Sequence, residues 1–139
     1  MTRPDGSLTA AFGTLCDLGY IAREDFACCG NCAGHELTTL AEEAIDQGRP
    51  ADSIRGAVYY HRQDAERFAE GADFYIGYGP LDSVRYGDLG LPAEAVGREV
   101  VGVLGKHGVG TEWDGDGDKR IKVRVATVTD PWPALDEDL

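Results

Sequence analysis

Apolar side chains recur along this chain with two different periods, and the switches between them lay out an alternating series of helices and strands. After Ser7, a good helix N-cap, Leu8, Ala11, Phe12, Leu15 and Cys16 fall at helical spacing and stop before Gly19. Cys16 lies on that stripe and is expected to be buried as a small hydrophobe. Residues 20–26 read as a short strand of mixed polarity. Leu37, Leu40, Ala41, Ala44 and Ile45 draw one face of a second helix, which Gly48 closes and Pro50 prevents from continuing.

Residues 56–61 are β-rich and apolar on both faces, as in a buried strand. Asp64 is placed to cap a short helix over 65–70, ended by Gly71. Residues 73–78 predict a third strand. From Gly79 to Gly90 the chain is rich in Gly, Pro and Asp, and is expected to be an irregular lid or binding loop. The last helix opens at 91–94, with Pro92 near its first position and Glu94 in its first turn. It buries Val96, Val100, Val103 and Leu104 and ends at Gly108, with His107 a dipole-compatible cation at its C-terminus. Two strands, 111–114 and 120–126, follow around a Gly-Asp turn; Ile121, Val123 and Val125 face inward and Lys122 and Arg124 outward.

The order α-β-α-β-α-β-α-β-β implies an α/β or α+β fold with a mixed, partly parallel sheet and a C-terminal hairpin. One domain over 8–126 accounts for the pattern, with a short extension at 1–7 and an acidic tail at 127–139. The helix between the first two strands suits a parallel crossover, whereas the next link is barely long enough for one. Parallel early strands would bring residues 28–35, 61–64 and 78–80 to one sheet edge. Open α/β sheets bind ligands there.

Acids outnumber Lys and Arg by 25 to 13, a net charge of −12, which disfavours nucleic acid and anionic membranes as partners. It leaves solubility as the main role of the charge, or a basic protein as partner, as inhibitors and immunity-type proteins have. No apolar run is long enough to span a bilayer, and the first residues lack a secretory signal core. The expectation is a cytoplasmic protein with reduced cysteines.

Chemistry concentrates in Cys28-Cys29-Gly30-Asn31-Cys32-Ala33-Gly34-His35, which holds three of the four cysteines and one of the three histidines. Cys29-x-x-Cys32 has the spacing of a two-thiolate knuckle; with His35 and His61 it would make a mixed sulfur and nitrogen set suited to zinc. Gln63, Asp64 and Tyr78 are candidates to support those ligands. Alternatively Cys28, Cys29 and Cys32 serve thiol–disulfide chemistry, their pKa lowered by the helix that follows. In a third reading the cysteines only fill space and the acidic surface engages a partner. A Cys28 or Cys29 nucleophile with His61 as base, oriented by Gln63 or Asp64, is chemically sensible. Dinucleotide, Walker and Gly-x-Ser-x-Gly motifs are missing, so no catalytic residue or small-molecule ligand is assigned. Asp114-Gly115-Asp116-Gly117-Asp118 lacks the sixth-position Gly and twelfth-position acid of a calcium loop and reads as a hairpin turn.

Phe26-x-Cys28-Cys29-x-x-Cys32, Gly56-x-Val58-x-x-His61-x-Gln63-Asp64-x-Glu66, Tyr75-x-x-Tyr78-Gly79 and Glu112-Trp113-Asp114-Gly115 with Arg120-Ile121 resemble an uncharacterised bacterial family, a domain of unknown function. The likeness spans residues 8 to 125. It implies no activity, but His61, Gln63 and Asp64 belong to its pattern.

Overall fold

The computed structural model describes residues 7–26 and 30–128, with backbone alone at 30–33. Its elements run α1 (Leu8–Leu18), β1 (Tyr20–Arg23), α2 (Gly30–Asp46), β2 (Gly56–Tyr59), α3 (Arg62–Ala69), β3 (Phe74–Gly79), β4 (Leu81–Ser83), β5 (Gly87–Leu89), α4 (Ala93–Lys106), β6 (Thr111–Glu112) and β7 (Ile121–Val123). Five strands form one mixed sheet in the order β1-β2-β3-β7-β6. Only β1 and β2 are parallel; β2–β3, β3–β7 and β7–β6 are antiparallel. The expected mixed sheet and C-terminal hairpin are both present.

Strand periodicity sorts side chains onto the two faces. Tyr20, Ala22, Val58, Phe74, Ile76, Ile121 and Val123 point to one face, where α1, α3 and α4 cover them. Tyr60 meets Phe12 and Phe74 edge-on, and Phe74 stacks on Phe68, so one aromatic chain joins α1, the sheet and α3. Ile21 and Ala57 point the other way, against Leu37 and Ala41 of α2 and Leu81 and Leu89. Those leucines correct one expectation. The stretch 79–90 is not an irregular lid but the two-stranded β4–β5 hairpin, in which Leu81 pairs with Leu89 and both are buried. Ser83 donates to Glu42 at 2.6 Å, and both Arg85 and Tyr86 hold Asp46, which pins the hairpin to α2. At its exit Gly90, at φ +110, approaches so closely that a Cβ would lie 2.7 Å from the Arg55 carbonyl.

Three further expectations are corrected. Cys16 is exposed, because the buried face of α1 is Leu8, Ala11, Phe12 and Leu15 and the next turn carries Cys16 past it. His61, not Asp64, is the N-cap of α3, and Asp64 sits inside the first turn. The strand pattern at 120–126 stops at Val123, where Val125 enters a 3₁₀ turn. His107, at the end of α4, pairs its Nε2 with Thr14 at 2.9 Å and so ties α4 to α1.

Away from the sheet edge, the buried phenol of Tyr20 donates to Glu99 at 2.5 Å, and Arg55 donates to the same oxygen at 3.0 Å. Burial first, and the Glu99 acceptor next, push the phenol up from 10.0 to about 12. The unfolded chain therefore loses this proton first, so the contribution is intact below pH 10 and declines as pH rises from 10 to about 12. Urea midpoints measured across that range should fall for the wild type, and Tyr20→Phe should lack that part of the fall. The variant should be less stable by about 1 kcal/mol at neutral pH. Gly97 lies under Trp113, where a Cβ would come within 2.6 Å of the indole. Gly97→Ala should lower stability by about 1–3 kcal/mol in the same assay.

Candidate functional site

The site is built where the parallel strands end. Past β1 the chain turns at Asp25, whose φ of +48 is one that Asp tolerates. Phe26 then donates its backbone N–H to the Tyr60 carbonyl at 2.9 Å. Asp25 also takes the Arg62 guanidinium at 2.9 Å, and Glu24 accepts from the Tyr60 hydroxyl at 3.1 Å. The segment leading to the cysteines is therefore tied directly to the one leading to His61. Cys28 and Cys29 lie outside the described residues. Cys32 is placed by its backbone, in the first turn of α2, because that helix starts at Gly30, ahead of its apolar stripe.

His61 opens α3 and is only 7% exposed, while Asp64, one turn on, has no exposure at all. Three donors satisfy the Asp64 carboxylate. Arg67 donates at 3.1 Å from the same helix, the Tyr75 backbone N–H at 3.3 Å from β3, and Arg120 at 2.7 Å from the start of β7. The His61 Nδ1 stands 3.3 Å from the carboxylate oxygen that Arg120 holds. That distance is right for an ion pair, but the direction misses hydrogen-bond geometry, so Nδ1 has no hydrogen-bond partner among the described residues. Arg120 also donates to the Tyr75 carbonyl at 2.8 Å, and its guanidinium lies over the Tyr75 ring. Burying a carboxylate costs several kcal/mol unless it is paired and hydrogen-bonded, and two guanidiniums and an amide meet that requirement here.

Other residues singled out by the sequence fall elsewhere. Since β3 runs antiparallel to β2, the expected meeting of three strand ends reduces to two. Tyr78 lies opposite Val58, three residues back from His61, and its hydroxyl donates to the Lys119 carbonyl at 2.6 Å with the Asp116 carbonyl also near at 3.1 Å. It thereby braces the turn at 114–118, where Asp114 and Asp116 accept from the N–H groups of Asp116 and Asp118. His35 is exposed on α2 and lines a hollow of about 400 Å³ with Thr38, Thr39, Glu42, Asp82, Val84 and Arg85. Gln63 is exposed on α3. Sequence reasoning passed over Arg67 and Arg120. Arg67 carries a readable signal, a cation three residues after Asp64 on one helix. Arg120 carries none, being 56 residues distant.

Among the described residues no group of three or more His, Cys, Asp and Glu side chains is placed to hold a metal, and no helix is long and apolar enough to cross a membrane. The fold and site thus define an α+β domain with a mixed sheet and a buried carboxylate–imidazole pair at its parallel edge. A family model for the domain of unknown function DUF6891 matches residues 4–129, and the chain belongs to that family. No curated protein and no solved structure matches it.

Removing the carboxylate would leave two guanidiniums facing each other without a counter-charge. Asp64→Ala is expected to cost about 3–5 kcal/mol in urea unfolding.

Proposed function

We propose that this domain binds zinc at the parallel edge of its sheet, through Cys29, Cys32 and His61, with Asp64 fixing the imidazole. The observation that carries the reading is the buried Asp64 carboxylate 3.3 Å from His61 Nδ1. Metal-ligating histidines typically donate one ring N–H to a carboxylate, which leaves the other nitrogen for the metal, and Asp64 stands within reach of Nδ1 although the two are not aligned as a hydrogen bond. The bond between Phe26 and Tyr60 supports it further, because the thiol-bearing segment begins two residues past that bond. Two thiolates and one imidazole suit zinc and leave its fourth position to solvent. His35 is omitted from the set because it faces the β4–β5 hairpin from an exposed turn of α2.

A second reading, thiol–disulfide exchange between Cys29 and Cys32, is favoured by one observation. The helix begins at Gly30, directly after Cys29, and a helix N-terminus stabilises a thiolate. Both readings require reduced thiols and so fit a reducing compartment such as the cytoplasm.

Elemental analysis of protein purified without a metal-affinity tag separates them. The zinc reading expects about one equivalent per chain, lost in Cys29→Ser, Cys32→Ser and His61→Ala. Zinc-free wild-type protein overturns it, and undiminished zinc in His61→Ala removes the histidine from the set. In metal-free protein, pH-dependent alkylation of Cys29 with a midpoint well below the free-thiol value of about 8.5 supports exchange chemistry instead.

A further inference from the structure

The half of the sheet that α2 and the β4–β5 hairpin leave uncovered carries a broad hollow. Tyr75, Lys122 and Glu112 stand directly opposite one another across β3, β7 and β6 and form its floor. Trp113, Asp114, Lys119 and Arg120 complete a space of about 490 Å³. Lys119 and Arg120 also border an adjoining hollow beside Tyr59, Gly77 and Asp118. A metabolite-sized ligand fits such a volume.

We propose that this hollow binds a small molecule bearing an oxyanion, a carboxylate or a phosphate, on a planar ring, with Arg120 and Lys122 facing the anion and Tyr75 the ring. Charge is the first argument. Three cations and two carboxylates line the hollow in a chain whose net charge is −12, so positive potential gathers here against the overall balance. Arg120 shares the single charge of Asp64 with Arg67, so its own charge is only partly cancelled. Its fork is nevertheless immobilised by Asp64 and the Tyr75 carbonyl, so little side-chain entropy remains to be lost on binding.

Lys122 is the second argument. Its nearest carboxylates, Asp73 and Glu112, stand at 3.8 and 4.0 Å, beyond hydrogen-bond reach, and Glu112 is shared with Arg124. Lys119, by contrast, is engaged by Asp114 at 3.1 Å. Tyr75 is the third, a 37% exposed aromatic ring set between those cations. An anion placed between Lys122 and Arg120 gains charge-assisted hydrogen bonds, and a ring attached to it lies against Tyr75. This site is independent of the metal reading, since it uses no cysteine and leaves His61 behind Asp64.

The test is an NMR titration of the full chain at low salt with benzoate, phenyl phosphate and, as neutral control, phenol. Saturable shifts at Tyr75, Arg120 and Lys122 with either anion, absent with phenol, are the expected result; the tighter anion identifies the group recognised. Lys122→Gln should weaken binding by about tenfold or more, the loss of roughly one hydrogen bond to a charge, whereas Lys106→Gln, at the exposed end of α4, should leave it unchanged. Lys122 is part-exposed, so its variant is expected to fold. No saturable shift with either anion, equal shifts with phenol, or equal weakening by the Lys106 variant overturns the proposal.

Discussion

Asp64 is a negative charge with no access to water, and the way it is neutralised fixes how separate parts of the chain meet. Arg67 comes from its own helix, the Tyr75 amide from β3 and Arg120 from the start of β7. None of these groups can move away without leaving a charge or a donor stranded in a low-dielectric interior, where the penalty is several kcal/mol. The short α3 is therefore held to the sheet by electrostatics as well as by Ala65 and Phe68. His61, its first flanking residue, inherits a fixed position from that anchoring. A positioned imidazole at a sheet edge is what the proposed zinc chemistry requires.

The rest of the architecture follows from period-two alternation in β1 and β2. Tyr20 and Ala22 face one layer, Ile21 the other, and the register with Gly56, Ala57 and Val58 repeats that division. Helices cover one face fully. The second face is covered only over β1 and β2, by α2 and a hairpin tied to it through Glu42 and Asp46. Beyond Tyr59 no described residue covers this face, and β3, β7 and β6 carry Tyr75, Lys122 and Glu112 on it. The same Arg120 that neutralises Asp64 from behind borders this open surface in front. One side chain thus couples the buried cluster to the uncovered sheet, and the two proposed sites share a wall without sharing ligands.

Much of the fold was legible residue by residue, and the failures have physical causes. The helical stripes of α1, α2 and α4 and the alternation at Ile121 and Val123 were clear because each element buries one side only. The β4–β5 hairpin was hidden because its strands are three residues each, too short for alternation to stand out from turn-forming residues. Cys16 was misplaced because composition marks a stripe but not its edge. Of the candidate site, the junction of the Phe26 and His61 segments follows from a parallel β1–β2 pair, whereas Tyr78 would join it only on a parallel β3, and β3 is antiparallel.

By itself the sequence determined the helices and the longer strands, the acidic balance, and the clustering of thiols around the start of α2, because propensity, periodicity and composition act over a few residues. It also paired His61 with Asp64 or Gln63 as candidate partners. Only the tertiary structure decided the direction of β3, the burial of Asp64 and the arrival of Arg120 beside it. Those depend on pairing energies between segments many tens of residues apart, and no local pattern encodes which distant cation a buried carboxylate will find.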